Sequence, residues 1–423
     1  MNIEDQFCSS PWFHMRITNN GKLEFCRWAD GNHITDQSNI STVDPLTFFQ
    51  QGMAPLRQNM LDGKTVEACK QCKIMEQHGK VSGRQKQLLK TGIVIDNFAK
   101  TAASSTFRTA FEQTNVDLRP VDWQIDLGNH CNSACVFCSP DSSSRLAGEF
   151  KRIGFIDQLP DRSWVEDPVV FDKFLHTLST TTGLTYLHFI GGETLITPGF
   201  CSILQALIDA DLHGRVTIGF TTNLTVWDPE INQLLTQFKT VNLGASIETL
   251  DQVNDYVRWP SNIDQVTDNL DRWLELAQQN DWITSLRITP TVLTAGRVVS
   301  LYQLAVKHNI GIESCNFLHE PAFMRTSVLP MPQRLAAADQ LQTWINSQAT
   351  DETKVINIRD LHHAQASAVQ DAQSYVQYLT NAPDESHRLP ALVEYLKKLE
   401  KSRSNSVLDY LPEYEQIFRA AGY

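Results

Sequence analysis

The sequence predicts an α/β protein: a partial (β/α)6 TIM-like barrel with a small cysteine-rich module before it and a helical extension after it. Three observations predict this. Across residues 121–330, short apolar or β-branched runs alternate with amphipathic stretches, the pattern of a parallel sheet with right-handed crossovers. Residues 1–95 hold four cysteines and several turn signals. Residues 331–423 carry helical periodicity in places, as in Arg334–Ile345 and Leu389–Lys401, and read as a cap or packing extension. Between the module and the barrel, residues 96–120 are polar and Ser/Thr/Ala-rich, and read as a linker.

The elements follow in order. In the N-terminal module, Phe13–Thr18 and Lys22–Cys26 flank Asn19-Asn20-Gly21, a strong hairpin signal. The barrel strands are expected at Trp123–Leu127, Thr185–Ile190, Val216–Thr221, Val241–Ile247, Leu286–Val292 and Gly311–Phe317. Amphipathic stretches such as Phe200–Ala210, Ile263–Ala277 and Val298–Lys307 lie between them. Six such units close partway into a barrel. Active sites of parallel barrels lie at the C-terminal ends of the strands.

Bulk properties narrow the function. A chain of 423 residues is long enough for two or three domains with a substantial core. Net charge is −12, from 36 basic and 48 acidic side chains, which argues against coating nucleic acid or an anionic membrane. The stretch from Arg57 to Arg108 runs the other way: a solvated helical face, or a basic surround for an anionic cluster or substrate. The odd count of nine cysteines fits poorly with a disulfide framework. The N-terminus has neither the basic nor the apolar region of a secretory signal, and no stretch approaches the ~20 apolar residues that span a bilayer. A cytoplasmic location, where thiols stay reduced, is expected.

Four features follow the strand order. Cys131, Cys135 and Cys138 form a CxxxCxxC triplet directly after the first barrel strand. Gly191-Gly192-Glu193 follows the second, Thr221-Thr222-Asn223 ends the third, and Ser246-Ile247-Glu248 ends the fourth, with Arg258 one helical stretch later. Three thiolates on one short loop can hold three irons of a 4Fe–4S cluster and leave the fourth open to a substrate or cofactor. Structural zinc and structural clusters normally use four ligands, so three suggest chemistry at the metal, with a zinc or structural-cluster site as the alternative. Taken singly the other features are weak, because Gly-Gly turns and strand-end Ser or Asn residues are common. Their joint order carries the weight.

With these motifs, residues 121–320 resemble the radical S-adenosylmethionine (radical SAM) core. That resemblance implies reductive cleavage of S-adenosylmethionine to a 5′-deoxyadenosyl radical, which takes hydrogen from an unactivated C–H bond. It assigns Cys131, Cys135 and Cys138 to the 4Fe–4S cluster and Gly191, Gly192 and Glu193 to the methionine amino group. Arg258 then meets the carboxylate, Asn223 and Ser246 the ribose, and Phe137 stacks on the adenine. Glu248 departs from the family, where Asp followed by Gly is frequent, and is expected to alter that turn. No side chain is assigned as a catalytic acid or base; His188, His319, Glu320, Arg287 and Tyr256 can face the barrel mouth but read first as packing or turn residues, Cys201 reads as core, and Cys315 reads as core or as a hydrogen-atom donor pointing into the barrel.

Cys8, Cys26, Cys69 and Cys72 form a second set, with Cys69 and Cys72 in a CxxC. Four thiolates suit zinc or a fully ligated iron–sulfur cluster, and spacing alone does not choose. Phe7-Cys8, Pro11-Trp12, Gly21, Cys26, Leu61-Asp62-Gly63, Cys69-x-x-Cys72, Glu76, Gly79 and Arg84 resemble the twitch module, a shortened SPASM module. This implies an auxiliary 4Fe–4S cluster. The leading expectation is oxidation or cross-linking of a peptide made on the ribosome, with flavodoxin or ferredoxin as electron donor and a separate leader-peptide-binding protein. The alternatives are a small-molecule oxidoreductase acting on a sugar or aminocyclitol alcohol and, from another class, a non-catalytic iron–sulfur or zinc protein.

Overall fold

Eight strands form one sheet in the order β2-β1-β3-β4-β5-β6-β7-β8. The computed structural model describes residues 7–29, 38–77, 82–90, 119–161, 163–314, 318, 320–348 and 364–423. The linker expected at 96–120 lies outside these residues apart from Arg119 and Pro120, as do Cys315, His319 and Gly79. The expected hairpin is β1 (His14–Ile17) and β2 (Leu23–Glu24), which pair antiparallel. The six barrel strands are β3 (Asp122–Asp126), β4 (Tyr186–Ile190), β5 (Thr217–Thr222), β6 (Thr240–Ser246), β7 (Ile283–Ile288) and β8 (Gly311–Ser314). All adjoining pairs from β3 to β8 are parallel. β7 begins and ends earlier than expected, because Pro290 has no N–H to continue a ladder.

The hairpin does not stand apart from the barrel. β1 pairs parallel with β3, from His14 opposite Asp122 to Ile17 opposite Ile125. Arg16 pins the junction, donating to Asp126 at 2.5 Å and to Glu24 at 3.1 Å. Six barrel strands were expected; the sheet has these six plus the two of the hairpin. β2 and β8 are its two edges, so the barrel is open.

Register sorts the side chains into alternating rows. One row runs Met15, Trp123, Leu187, Ile218 and Val241, and another Ile17, Ile125, Phe189, Phe220 and Leu243, all buried. These rows pack on the crossover helices: Trp123 meets Phe174 of helix Pro168–Thr180, Phe189 and Phe220 meet Phe200 of helix Phe200–Asp209, and Phe220 meets Trp273 of helix Ile263–Gln279. Each such side chain contributes about 1.5–3 kcal/mol by leaving water. Between them lies the row Arg16, Gln124, His188, Gly219 and Asn242. The concave side of the sheet is therefore polar, with room left by glycine.

Three crossover helices start on side-chain caps. Asp167, Asp228 and Asn262 accept backbone N–H groups at the helix starts Pro168, Pro229 and Ile263. Beyond β8, helix Ala364–Asn381 covers the sheet edge: Asp371 accepts from the Ser314 backbone N–H at 3.1 Å and from the Tyr302 hydroxyl at 2.8 Å. Helix Leu389–Arg403 returns to the mouth of the barrel.

Candidate active site

The cysteine triplet sits on the irregular loop that leaves β3. Its backbone is tied at both ends to helix Ser144–Arg152: Ser144 N–H donates to Asn129 O at 2.6 Å, Cys131 N–H to Ser144 Oγ at 3.2 Å, and Ser143 Oγ to Ser133 O at 2.6 Å. The Ser143 hydroxyl also caps that helix, accepting from Leu146 N–H at 3.1 Å. Gly191 and Gly192 pack directly against this loop, where a Cβ on Gly192 would collide with His130 O and one on Gly191 with Gly128 O. Gly191 has φ +145°, which an L side chain rarely adopts. Gly192 N–H then donates to Gly128 O at 2.8 Å and Glu193 N–H to His130 O at 2.7 Å. The two motifs that follow β3 and β4 are thus one hydrogen-bonded unit.

Glu193 is 1% exposed. Its carboxylate accepts from Asn223 N–H at 2.6 Å and Leu195 N–H at 3.2 Å, while burial pushes its pKa up against these bonds. The Asn223 side chain is fully engaged: Nδ2 donates to Asn132 Oδ1 at 2.9 Å and Ser133 Oγ at 3.0 Å, and Oδ1 accepts from Thr225 N–H at 3.0 Å and Thr225 Oγ1 at 2.6 Å. It holds the cysteine loop. Ser246 lines the cavity, and its hydroxyl has no side-chain or backbone hydrogen bond among the described residues.

Arg258 reaches the loop from the other side. It donates to Glu248 Oε1 through Nε at 3.2 Å and Nη2 at 2.5 Å, and its Nη1 is 4.0 Å from Cys135 Sγ. Its guanidinium carbon lies 5.5 Å from the centre of the Phe137 ring. Burial alone would lower its pKa, but Glu248 and the Cys135 thiol hold it above its ordinary value. Glu248, expected to matter only as a changed turn, is instead the buried anchor of this arginine; its second oxygen accepts from Thr289 N–H at 2.6 Å.

The C-terminal helix supplies contacts that sequence reasoning missed. Arg403 forms a buried ion pair with Glu149 at 2.6 Å and donates to Ala134 O at 2.8 Å inside the cysteine loop. Tyr395 donates to Val136 O at 2.8 Å. These partners are more than 250 residues apart, and no local pattern links them.

A cavity of about 270 Å³ opens at the C-terminal ends of the strands. It is lined by Cys131, Cys135 and Cys138, by Phe137, Gly191, Gly192 and Glu193, and by Asn223, Ser246 and Arg258. Every predicted barrel residue therefore meets at one place. None of the three cysteines is in a disulfide. Ser133 N–H points at Cys131 Sγ at 3.4 Å, burial pushes the Cys131 and Cys138 thiols up to about 12, and among the described residues no three His, Cys, Asp or Glu side chains are grouped to hold a metal ion. Buried thiols are kept neutral by this cost, and a positively charged metal core is what removes it.

The N-terminal cysteines are all buried or half-buried, and none is in a disulfide. Burial pushes the Cys8 thiol up, Cys26, Cys69 and Cys72 add to that shift, and the Ser10 N–H works against it. Burial likewise raises Cys26 to about 11 and Cys69 to about 12. Ser10 N–H approaches Cys8 Sγ at 3.4 Å and Trp28 N–H approaches Cys26 Sγ at 3.3 Å. Arg84 donates to Glu76 at 2.5 Å and to Phe7 O at 3.2 Å beside them. Cys201 lies on helix Phe200–Asp209, away from both groups.

Residues 125–302 match the family profile of the Radical SAM superfamily. Among solved structures, SuiB from Streptococcus suis bound to S-adenosylmethionine is similar at 13% identity over 68% of this chain and 62% of that one, with a TM-score of 0.36. SuiB bound to its precursor peptide SuiA gives 15% identity over 66% and 60%, also at 0.36. The radical S-adenosylmethionine methyltransferase TsrM from Kitasatospora setae, bound to tryptophan and a SAM analogue, gives 14% identity over 45% and 34%, at 0.31. The chain thus spans about 62% of the length of SuiB. No curated protein matches it in sequence.

Proposed function

We propose that this chain is an enzyme whose Cys131, Cys135 and Cys138 hold a 4Fe–4S cluster with one iron open to S-adenosylmethionine, and that it oxidises or cross-links a peptide. One observation carries the reading: the three thiols share a single cavity with the residues that end four successive strands. When bound, the cluster and S-adenosylmethionine supply reductive cleavage of the sulfonium and hydrogen abstraction from an unactivated C–H bond. The chain's own residues bind and orient. Gly191 and Gly192 bring backbone close to the amino group, and Glu193 sets a negative charge beside it. Arg258, aimed by Glu248, meets the carboxylate. Ser246 has its hydroxyl free for the ribose, whereas Asn223 acts by holding the cysteine loop. Phe137 offers a face to the adenine.

Cys8, Cys26, Cys69 and Cys72 hold an auxiliary 4Fe–4S cluster on this reading. Removing a hydrogen atom leaves a substrate radical that must lose one further electron to give the oxidised product, and these four thiols would hold the group that takes up that electron. A flavodoxin or ferredoxin supplies the reducing electron, and a separate protein binds the leader peptide. A second reading, a small polar substrate such as a sugar or aminocyclitol alcohol, draws support from the polar concave face of the sheet. Among the described residues, no helix is long and apolar enough to cross a membrane.

Anaerobic incubation with dithionite and S-adenosylmethionine tests the core of this. Release of 5′-deoxyadenosine is expected from protein carrying about eight irons, four per cluster. Intact clusters with no 5′-deoxyadenosine would overturn it, and zinc in place of iron would assign the chain to a non-catalytic metal protein.

A further inference from the structure

The cavity has a second wall that the cofactor contacts leave unused. His188 on β4 and Arg287 on β7 line it from the sheet, and Arg27 lines it from the segment after Cys26. Arg287 is ion-paired with Glu313 of β8, and Lys86 Nζ lies 4.0 Å from the same carboxylate. Among the described residues the group sets Arg27, Arg287 and Lys86 around Glu313. Asp122 stands behind His188, where it pairs with His14 at 3.2 Å. The other charges of the cavity are already spent: Arg258 on Glu248, and Glu193 on backbone N–H groups. Arg27 makes no ion pair within 4.0 Å among the described residues, although it helps Arg287 and Lys86 hold the Glu313 carboxyl below its ordinary value; its guanidinium carbon sits 4.9 Å from the Trp28 ring centre.

The strands make room for this wall. A Cβ on Gly244 of β6 would come within 3.1 Å of Arg287 Cγ and 3.3 Å of its Nε. One on Gly219 of β5 would collide with His188 Nδ1 and the Tyr186 hydroxyl. Tyr186 and His188 are hydrogen-bonded at 3.2 Å. Burial, then Arg287 and Arg27, depress His188 to about 3, so the imidazole is neutral at physiological pH and adds hydrogen bonding without charge. Cationic groups around an open polar cavity recognise an anionic oxygen group.

We propose that Arg27, Arg287 and His188 form a substrate-anchoring site for a carboxylate or phosphate in the cavity that the cysteine triplet also lines. The site belongs to the substrate because Arg258 and Glu193 already suit the two charged ends of S-adenosylmethionine. In this the inference rests on the proposed function and adds the substrate's chemistry to it: the group attacked lies close to an anion, on a peptide or on a small molecule.

The test is calorimetric titration of the full-length, cluster-loaded protein with inorganic phosphate and, separately, acetate, both at saturating S-adenosylmethionine. Saturable binding of either anion is expected, and which one binds tells a phosphate ester from a carboxylate. Arg27→Gln is expected to weaken it about tenfold, and Arg27→Lys by only about threefold because the charge stays. Glu313→Gln, which releases Arg287, is expected to tighten binding severalfold, a gain that no folding defect produces. The proposal is overturned if neither anion binds, if Arg27→Gln binds as tightly as the unchanged protein, if Glu313→Gln fails to tighten binding, or if S-adenosylmethionine displaces the anion. Release of 5′-deoxyadenosine by the unchanged protein is scored separately. Anion binding without it keeps the site and sinks the radical reading; the reverse sinks only the site.

Discussion

The two cysteine groups are built in opposite ways. Cys131, Cys135 and Cys138 come from eight consecutive residues, yet the loop that carries them is gripped from all sides: by helix Ser144–Arg152, by Gly191–Glu193, by Asn223, and by Tyr395 and Arg403 of the C-terminal helix. Cys8, Cys26, Cys69 and Cys72 come from three separate segments of the N-terminal chain. Arg57 holds that chain, donating to the carbonyls of Pro11, Gln50 and Phe49 from a buried position. On the proposed function, a local triplet would leave one corner of a cluster without a protein ligand, which the surrounding scaffold would keep open and placed, whereas a dispersed quartet would close every corner and need only to be held together. Placement against a ligand demands more of the structure than ligation alone.

Removing ligands gives the largest effect and splits the two groups. Cys131→Ala is expected to abolish 5′-deoxyadenosine formation. The double variant Cys69→Ala/Cys72→Ala is expected to lower iron from about eight to about four per chain while 5′-deoxyadenosine still forms, with product formation lost. Iron analysis and chromatography of the reaction check both. Loss of 5′-deoxyadenosine in the double variant as well would erase the proposed division of labour.

The clamp on the triplet comes next. Glu149 and Arg403 are 2% and 1% exposed in their side chains. Glu149→Gln removes one member of a buried ion pair and is expected to cost about 3–5 kcal/mol in unfolding experiments. The same variant is expected to lose the barrel cluster on dilution before the N-terminal one, a difference that a purely global destabilisation would not produce.

The smallest expected effect is on cofactor affinity. Glu248→Gln keeps the shape of the anchor and removes its charge, so Arg258 is aimed less firmly. Weakening of S-adenosylmethionine binding by about tenfold, or about 1.4 kcal/mol, is expected by equilibrium titration. An unchanged affinity would mean that Arg258 does not touch the cofactor.

Much of the site was legible because its parts are local. A strand end followed by three cysteines, or by Gly-Gly-Glu, is written in a few consecutive residues, and the order of the strands in the chain is their order in the sheet from β3 to β8. Glu248 was visible in sequence but not its purpose, since Arg258 is ten residues away across a loop and Thr289 forty-one. Asn223 was read as a ligand contact because nothing local says that Asn132 and Ser133 occupy its amide.

The amino-acid pattern by itself determined the alternation of strand and helix, the six barrel strands, the hairpin at Asn19-Asn20-Gly21, and which thiols stand close in the chain. These follow from periodicity and turn chemistry, which act over a few residues. Only the tertiary structure decided that the hairpin extends the barrel through β1 and β3, that alternate rows leave the concave face polar, and that a helix some 260 residues downstream grips the cysteine loop. Those outcomes depend on which distant surfaces meet: Met15 and Ile17 bury themselves only beside Trp123 and Ile125, and the buried Arg403 is neutralised only by Glu149.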